Sequence, residues 1–520
     1  MLVDDFLERS ARLHPDRVAL VCGSRRLTYR WLDGAANRFA HGLQARGVCR
    51  GDRVVIHLDN SVEAIVSVFG TLKAGAVFVL VNPTVKAGKL AYILQDCEAV
   101  ALVADRRTAS ETDHALRLAP STKVLILAGE RRDGRPLSGS ETRETVALDD
   151  LIDPTVYAAE RPVSRSIDLD LAALVYTSGS TGRPKGVMLT HANMVAAATS
   201  IDGYLQNTPE DVILDVLPLS FDYGLYQVLL AFKAGARLVL ERSFVYPGAV
   251  LDLLMKERVT ALPIVPMMAA LLVKQDLDAS DLSSLRYITN TGAVLPPAHI
   301  AMLRSRLPHV RIFSMYGLTE CKRVSFLAPE EIDVRPASVG KPMDNVEVYL
   351  IDDEGRRVTH GVGELVVRGS NVMQGYWRAA EETARVLRPG RQPGEQVLHT
   401  GDMFRIDADG YMYFQSRTDD VIKSRGQKVS PREIENVLHA VPGVCEAVVV
   451  GVSDPIVGEA LKCYVTLHAD ASITEPEILC HCSKHLEDFM VPQSVEIVAE
   501  LPHNGSGKLA RRALQGAGAN

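Results

Sequence analysis

One stretch of the chain combines glycines, hydroxyl groups and a lysine in a way that suits phosphate binding. It covers residues 176–186 and reads Tyr-Thr-Ser-Gly-Ser-Thr-Gly-Arg-Pro-Lys-Gly. Glycine lets a backbone approach phosphate oxygens, and the N–H groups of such a loop can surround an anion. Lys185 adds a positive charge, but it stands three residues after Gly182, so this is not a Walker loop, where lysine follows glycine directly. Four hydroxyl side chains add hydrogen-bond donors: Thr177, Ser178, Ser180 and Thr181.

Four shorter motifs follow later in the chain. They are Tyr-Gly-Leu-Thr-Glu at 316–320, Thr-Gly-Asp at 400–402, Arg-Thr-Asp-Asp-Val-Ile-Lys at 417–423 and Asn-Gly-Ser-Gly-Lys at 504–508. Taken singly, each has an ordinary interpretation, such as a tyrosine in a core or an aspartate in a turn. Taken together and in this order, the five stretches resemble the motifs of the adenylate-forming superfamily, which contains acyl-CoA synthetases, adenylation domains and luciferases.

That resemblance implies an enzyme that joins a carboxylate to the α-phosphate of ATP and releases pyrophosphate, with Mg²⁺ as cofactor. Both reactants are anions, so the site must neutralise charge and align the attack. A thiol then takes the acyl group in a second half-reaction. A binding-only homologue is disfavoured because every charged motif residue is present, and a P-loop motor or kinase is disfavoured by the lysine spacing.

The resemblance also assigns roles to residues of this chain. The β- and γ-phosphates would be held by Thr177, Ser178, Gly179, Ser180, Thr181, Gly182 and Lys185. The nucleoside would be bound by Gly292, Ala293, Tyr316 stacked on adenine, Asp402 at the ribose hydroxyls and Arg417. Thr319 would bond the α-phosphate, Glu320 would hold Mg²⁺, and Lys508 would contact the carboxylate and the bridging oxygen as charge develops.

Family members rotate a small C-terminal domain between the two half-reactions, and the hinge corresponds to Asp419. The expected division is therefore a core over residues 1–416, with the ATP and acid site, and a mobile domain over 417–520. Two positions depart from the family pattern: Ser416 stands where glycine is usual before the arginine, and Ser314 where asparagine is frequent. Neither departure removes a charge that the chemistry needs.

The segment Leu-Pro-Leu-Ser-Phe-Asp-Tyr-Gly at 217–224 bears on which acid is used. Its Phe-Asp pair resembles that of amino-acid-activating adenylation domains, where the aspartate pairs with the substrate ammonium. Asp222 in such an apolar stretch needs a partner, since a lone buried carboxylate is costly, and a substrate ammonium would supply one. The alternative is that Asp222 caps a helix or is partly hydrated.

Cys321 is followed by two cations, Lys322 and Arg323, where fatty-acid members usually have small or neutral residues. These cations could bind a carboxylate, or they could be solvated or paired within the chain. Together with Asp222 they resemble the stand-alone β-amino-acid adenylation enzymes of macrolactam polyketide pathways, which load an acyl carrier protein. The pocket would then be lined by Asp222, Tyr223, Thr291, Lys322 and Phe326. The alternative is an acyl-CoA synthetase that activates an uncharged fatty or aryl acid onto CoA.

The helices and strands that must position these residues are predicted to form an α/β protein. Strand and helix patterns alternate over residues 1–150 and again over 171–300, with a predicted helix at Tyr226–Phe232, which favours βαβ units on mostly parallel sheets. From about residue 345 the pattern changes to short strands separated by turns. The last hundred residues predict a small α+β domain. The expected fold is a large N-terminal domain of layered αβ subdomains plus a β-rich subdomain, and a small mobile C-terminal domain.

Composition excludes several other classes. The 57 basic and 64 acidic residues give a net charge of −7. The sequence contains no basic stripe, so nucleic acid is not expected as a partner. Apolar content of 47% is ordinary for a globular protein, with no run long enough to span a membrane and no secretory signal. The eight cysteines are sparse and fit a reducing cytoplasm. The expected partners are a small carboxylic or amino acid and an acyl carrier protein or CoA, while the oligomeric state stays open.

Overall fold

The computed structural model describes residues 1–129, 143–163, 166–178, 184–417, 422–424, 427–429, 431–454, 458–486, 490–503 and 509–515. The tip of the phosphate loop, residues 179–183, lies outside the described residues. So do Lys508 and Asp419. The roles expected for these positions therefore stay predictions.

The strands fall into four sheets. In chain order they are β1 (Val18–Cys22), β2 (Arg25–Thr28), β3 (Arg53–His57), β4 (Val77–Leu80), β5 (Ala99–Asp105), β6 (Val124–Ala128), β7 (Glu144–Ala147), β8 (Leu171–Ser178), β9 (Pro184–Thr190), β10 (Val212–Asp215), β11 (Arg237–Leu240), β12 (Ala261–Ile264), β13 (Tyr287–Asn290), β14 (Arg311–Tyr316), β15 (Ser325–Phe326), β16 (Lys341–Pro342), β17 (Val346–Ile351), β18 (Arg357–Val358), β19 (Gly361–Gly369), β20 (Leu387–Pro389), β21 (Gln396–Ile406), β22 (Met412–Arg417), β23 (Ile422–Ser424), β24 (Gln427–Val429), β25 (Val444–Asp454), β26 (Gly458–Leu467) and β27 (Ser494–Ile497).

The helices cover the sheets and connect their strands. They are α1 (Asp5–Leu13), α2 (Tyr29–Ala45), α3 (Val62–Lys73), α4 (Ala87–Asp96), α5 (Ala109–Leu118), α6 (Leu148–Leu151), α7 (His191–Leu205), α8 (Asp222–Ala234), α9 (Pro247–Lys256), α10 (Pro266–Leu272), α11 (Pro297–Arg306), α12 (Ala380–Val386), α13 (Pro431–His439), α14 (Glu475–His485) and α15 (Arg511–Gln515). Among these helices, none combines the length and apolarity that crossing a membrane requires.

Two parallel sheets make up most of the N-terminal domain, as the alternating pattern predicts. The first has seven strands in the order β7-β6-β5-β3-β4-β8-β9, and only the β8–β9 pair is antiparallel. The second has nine strands in the order β16-β15-β14-β13-β12-β10-β11-β1-β2. Its strands from β14 to β1 run parallel. The carboxyl ends of β10, β13 and β14 therefore share one edge, where ligands of such sheets usually bind.

The two remaining sheets are mainly antiparallel. One has six strands and contains β17 to β22, which confirms the β-rich region expected after residue 345. The other has five strands, β23 to β27, and belongs to the smaller C-terminal domain. That domain has its own core, in which Ile434 and Leu438 of α13 pack with Leu461 and Ile478.

Local sequence explains several helix boundaries. The side chain of Thr190 caps α7 in a reciprocal arrangement with Asn193, and Thr474 does the same for α14 with Glu477. The helix expected at Tyr226–Phe232 is longer than predicted, because α8 already begins at Asp222. Asp222 is thus the first residue of the helix, and Phe221 occupies the capping position without a side-chain hydrogen bond.

Candidate active site

Three residues predicted for nucleoside binding lie together where the second sheet meets the β-rich sheet. Tyr316 ends β14, and its hydroxyl donates to Oδ2 of Asp402 at 2.5 Å. Arg417 pairs with Asp402 across β21 and β22, with 2.8 Å between its Nη1 and the Asp402 Oδ1. Burial, reinforced by the adjacent Asp402 charge, raises the pKa of Tyr316 well above its usual value. The tyrosine therefore stays protonated and keeps the Asp402 carboxylate oriented.

The end of the neighbouring strand β13 leads into the predicted adenine segment. Gly292 has φ +88°, which favours glycine and leaves the backbone bare on one side. The carbonyl of Ala293 accepts from Nδ2 of Asn290 at 3.0 Å, which fixes the turn. Since β13 and β14 are adjacent parallel strands, this segment and Tyr316 emerge from the same edge of the sheet. A bare backbone beside an aromatic ring suits a flat heterocycle.

The described ends of the phosphate loop belong to a tight strand pair. Thr177 in β8 lies opposite Lys185 in β9, and Ser178 closes β8. The Lys185 Nζ lies 5.4 Å from the centre of the Tyr376 ring. Gly179, Ser180, Thr181 and Gly182 lie outside the described residues. The hairpin nevertheless fixes where the loop leaves and re-enters the sheet.

The predicted magnesium ligand is held by a residue that sequence reasoning missed. Thr319 and Glu320 follow β14 and are partly exposed. The hydroxyl of Tyr376 donates to Oε1 of Glu320 at 2.7 Å, and the Glu320 carbonyl accepts from the Met373 N–H at 2.8 Å. A carboxylate with hydroxyl neighbours at a phosphate-binding loop suits Mg²⁺, which prefers a few carboxylate ligands together with phosphate oxygens. The residues present thus fit the nucleotide and the metal ion.

The predicted acid-binding residues Asp222 and Lys322 are in direct contact. The Lys322 Nζ lies 2.9 Å from the carbonyl oxygen of Asp222 and 3.5 Å from its Oδ2. Lys322 is only 4% exposed and Asp222 9%. The same ammonium group lies 4.3 Å from the centre of the Tyr226 ring and 5.6 Å from that of Tyr223. Asp222 therefore already has a positive partner within the chain.

Lys322 is an unusual residue in two further respects. Its φ is +60°, a left-handed conformation that costs a non-glycine residue of order 1 kcal/mol and often marks functional segments. Burial lowers its pKa to about 7, although the Asp222 carboxylate acts in the opposite direction. Burial also raises the pKa of Asp215, at the end of β10, well above its usual value. One carboxylate and two buried cations thus dominate the charge of this region.

The second of these cations is Arg323. It is 2% exposed, and its guanidinium carbon lies 5.5 Å from the centre of the Tyr223 ring. The Tyr204 hydroxyl is hydrogen-bonded to this side chain, whereas in the described part of the chain its Nε and Nη1 have no hydrogen-bond partner. A buried guanidinium with donors to spare calls for an anion or polar ligand, because unpaired buried charge is costly. The sequence signal for Arg323 is the pair of adjacent cations, Lys322 and Arg323.

The other predicted pocket residues are placed as follows. The Tyr223 hydroxyl bonds Thr289, with 2.9 Å to the carbonyl oxygen and 2.6 Å to Oγ1. Thr291 is buried just beyond β13. Phe326, in β15, stacks on Tyr204 with 4.0 Å between ring centres. Tyr223, next to the Lys322 and Arg323 cations, and Phe326 are thus each held in place by a neighbouring side chain.

Comparisons with known proteins identify the family of this chain. Residues 7–377 match the family described as AMP-binding enzyme, and residues 433–508 match the AMP-binding enzyme C-terminal domain. The chain is 34% identical to feruloyl-CoA synthase of Amycolatopsis sp, covering 97% of this chain and 96% of that enzyme. It is also 30% identical to a linear gramicidin synthase of Brevibacillus parabrevis over 99% of its own length, but it spans only 6% of that protein.

A solved structure shows the same fold along the whole chain. The anthranilate CoA ligase AuaEII, in complex with anthranoyl-AMP, superposes with a TM-score of 0.90 at 28% identity, covering 99% of this chain and 97% of that one. The chain belongs to the AMP-binding enzyme family, and it is an AMP-forming acid–thiol ligase that uses ATP and Mg²⁺ to form an acyl-adenylate.

Proposed function

We propose that this enzyme activates an amino acid, with a β-amino acid favoured, and passes it to the phosphopantetheine thiol of an acyl carrier protein. The observation that carries the proposal is the buried cluster of Asp222, Lys322 and Arg323. A fatty or simple aryl acid would place apolar groups against these charges and remove their remaining access to water. That arrangement is unfavourable, since buried charges need charged or hydrogen-bonding partners.

An amino acid offers complementary groups. Its ammonium would join Lys322 at the Asp222 carboxylate, whose Oδ2 is a loose 3.5 Å from the Lys322 Nζ. The two cations exceed the single carboxylate by one positive charge, so an acidic group on the substrate, close to Arg323, would balance the cluster. The proposal therefore favours an amino acid that carries a second carboxylate.

The assigned residues would share the first half-reaction as follows. Lys185, Thr177 and the loop between them would hold the outer phosphates, and Thr319 would orient the α-phosphate. Glu320 would bind Mg²⁺, which neutralises charge on the phosphate oxygens when bound. Lys508 would stabilise the negative charge that develops as the acid attacks. Rotation about Asp419, at the boundary between residues 1–416 and 417–520, would then withdraw Lys508 and admit the thiol.

A second candidate is an acyl-CoA synthetase for an uncharged fatty or aryl acid. Its support is the full-length similarity to feruloyl-CoA synthase, an enzyme named for CoA thioester formation on an aryl acid. The ion pair between Asp222 and Lys322 also allows it, because an internal pair needs no charged substrate. The two candidates differ both in the acid and in the thiol acceptor, and the two differences can be tested separately.

The acid is tested by ATP–pyrophosphate exchange with matched compounds. Each set shares one carbon skeleton and comprises the β-amino acid, the α-amino acid, the des-amino acid, and the same acids with a second carboxylate. The proposal expects the β-amino acid with a second carboxylate to have the highest kcat/KM. Fastest exchange with a plain fatty or aryl acid would overturn it in favour of the second candidate.

The role of Asp222 is tested by comparing kcat/KM for an amino acid with kcat/KM for its des-amino analogue. In Asp222→Asn the shape is kept but the countercharge is lost, which costs a buried ammonium roughly 3–5 kcal/mol. The kcat/KM ratio of amino acid to des-amino acid should therefore fall by about 10²–10⁴. Asp202→Asn is a matched control, because Asp202 pairs with Lys233 at 2.7 Å between α7 and α8, outside the pocket. A ratio within threefold of wild type would make Asp222 structural.

The thiol is tested separately, with the best acid held fixed. Thioester formation is compared for CoA and for phosphopantetheinylated carrier proteins, including one encoded beside this enzyme's gene if such a gene exists. Transfer to a carrier at more than tenfold the kcat/KM for CoA supports the proposal. Preference for CoA would identify CoA as the acceptor, as in the second candidate, whichever acid the enzyme activates.

A further inference from the structure

Tyr376 contacts both Glu320 and Lys185, to which the proposed mechanism assigns different roles. Its hydroxyl donates to Oε1 of Glu320 at 2.7 Å, and its ring centre lies 5.4 Å from the Nζ of Lys185. Glu320 is the proposed magnesium ligand, and Lys185 belongs to the phosphate loop. One side chain therefore connects the metal side of the site with the phosphate side.

The backbone around Tyr376 is held by the same strand that carries Lys185. Val187 and Tyr376 form an antiparallel bridge. The Trp377 N–H donates to the Gly186 carbonyl at 2.7 Å, and the Met188 N–H donates to the Gly375 carbonyl at 2.9 Å. The position of the tyrosine relative to β9 is thus fixed by main-chain hydrogen bonds on both sides.

Two further features keep the ring in place. The Tyr376 N–H donates to Oγ1 of Thr383 at 2.9 Å, and the residue is 9% exposed. Gly375, directly before it, has φ +130°, and a Cβ there would lie 2.7 Å from Cγ2 of Thr383. Only glycine fits this turn, which presents the tyrosine to Glu320. Such support is typical of a side chain that orients its neighbours.

We propose that Tyr376 is a positioning residue that fixes the Glu320 carboxylate for Mg²⁺ and the Lys185 ammonium for the phosphates. The hydroxyl acts on the carboxylate, since a donor on Oε1 fixes its orientation and leaves its other oxygen available to a metal ion. The ring acts on the lysine, because an aromatic face attracts a nearby ammonium. The inference rests on the roles proposed above for Glu320 and Lys185.

The two actions can be separated by two substitutions. Tyr376→Phe removes the hydroxyl and keeps the ring, whereas Tyr376→Leu removes both. Tyr287→Phe is a matched control, since the Tyr287 hydroxyl donates to Oδ1 of Asn207 at 2.7 Å at the opposite end of β13 from the site. Thermal unfolding of each variant shows whether the fold is intact.

The readout is calorimetric binding of α,β-methylene-ATP, with Mg²⁺ and with EDTA. In Tyr376→Phe the gain in affinity that Mg²⁺ gives should shrink by about 10- to 100-fold, the usual effect of removing a group that orients a metal ligand. Affinity in EDTA should stay within twofold of wild type. In Tyr376→Leu the affinity in EDTA should fall as well, because Lys185 loses its ring. If the leucine variant fails to fold, the phenylalanine variant still decides the hydroxyl's part.

A Mg²⁺-dependent gain within twofold of wild type in Tyr376→Phe would overturn the inference. Glu320→Gln separates this failure from failure of the site assignment. If Glu320→Gln loses the Mg²⁺ effect and Tyr376→Phe does not, the metal site stands and the positioning role is wrong. If neither variant changes the Mg²⁺-dependent gain in affinity for the ATP analogue, Glu320 is not the metal ligand. Thioester formation from a supplied acyl-adenylate should be unchanged in Tyr376→Phe, which a general structural defect would not spare.

Discussion

Gly317 lies directly against the backbone of Arg323. A Cβ atom at Gly317 would be 2.9 Å from the Arg323 Cα and would overlap the carbonyl oxygen of Lys322. The chain between them turns back on itself, so the nucleotide motif and the buried cations belong to one tight loop. This contact explains why residue 317 must be glycine although its φ is not positive.

Gly317→Ala should therefore disturb both halves of the loop. Overpacking of this kind costs about 1–3 kcal/mol of folding free energy, and displacement of the cations should raise the KM for the acid as well as for ATP. Thermal unfolding and pyrophosphate exchange measure the two effects. Gly203→Ala in α7 is the control, because its Cβ meets nothing within 4 Å and should slightly stabilise the helix. Equal behaviour of the two variants would contradict the role of the contact.

Lys508→Ala should separate the half-reactions. Loss of one transition-state charge contact lowers the rate of adenylation by roughly 10²–10³. Thioester formation from a supplied acyl-adenylate should stay within about twofold, because the proposed rotation would remove Lys508 from the site in that step. Lys484→Ala, an exposed lysine of α14 in the same domain, should affect neither step. Equal losses in both half-reactions for Lys508→Ala would refute its assignment.

The acid's KM should depend on pH through Lys322. Its pKa of about 7 means that the ammonium is charged below pH 7 and loses its proton as pH rises. An acid with two carboxylates and one ammonium carries a net negative charge and therefore binds best to the charged form of Lys322. If the neutral form does not bind it, KM should rise roughly 20-fold between pH 6.5 and 8.5. Lys322→Arg stays charged and should flatten the profile. A flat wild-type profile over this window would show that the ammonium does not bind the acid.

The same lysine affects stability with a defined sign. Its folded pKa lies below the usual 10.5, so between about pH 7 and 10.5 the unfolded chain binds more protons than the folded one. Its contribution to the free energy of unfolding should therefore increase with pH across that window. Urea unfolding of wild type and Lys322→Arg at pH 7 and 9 measures the difference.

Docking of the C-terminal domain should weaken in acid. The rings of His299 in α11 and His439 in α13 lie 6.2 Å apart at the contact between the domains, where Arg432 also donates to the Val294 carbonyl at 2.8 Å. Burial lowers the pKa of His299 to about 4 and that of His439 to about 3, and the nearby cations act in the same direction. Both rings are thus neutral when docked, so docking is favoured above pH 6.5 and is lost progressively below it.

If undocking returns one such histidine to its ordinary pKa of about 6.5, then at pH 5 it should shift the docking equilibrium by roughly 30-fold toward the undocked state. Energy transfer between dyes on α14 and on the turn at 352–355 reports the distance between the domains. The double variant His299→Asn/His439→Phe should show little change between pH 7 and 5. An identical response in wild type and double variant would place the pH dependence elsewhere.

Much of the nucleotide site could be predicted because its motifs are short and local. Tyr316, Glu320 and Asp402 were each identified within their own few residues, and Tyr316 and Asp402 prove to be hydrogen-bonded across 86 positions of sequence. Tyr376 was missed because its role depends on a bridge to β9, far away in the chain. The only available signal was a glycine followed by two aromatic residues after a predicted strand.

The acid pocket shows the limit of the same reasoning. The sequence predicts both Asp222 and Lys322 as acid-binding residues, but as two separate contacts to a substrate, whereas the structure joins them to each other. Side-chain pairing over a hundred positions depends on the sheet order, and nothing in the local pattern specifies it. The start of α8 at residue 222 escapes prediction for a similar reason. Residues 222–225 are buried by neighbouring elements, so the apolar periodicity of an amphipathic helix does not mark its beginning there.

The position of β1 bears on how the protein is made. Leu20 pairs in parallel with Leu238, so an amino-terminal strand completes a sheet whose other parallel strands all come after residue 211. At ribosomal rates of about 5–20 residues per second, residues 18–28 would wait roughly 10–40 s for their partner. During that interval the apolar strand β1 lacks its neighbour. Nascent chains of this enzyme should therefore depend on chaperones that shield their first segment until the partner strand emerges.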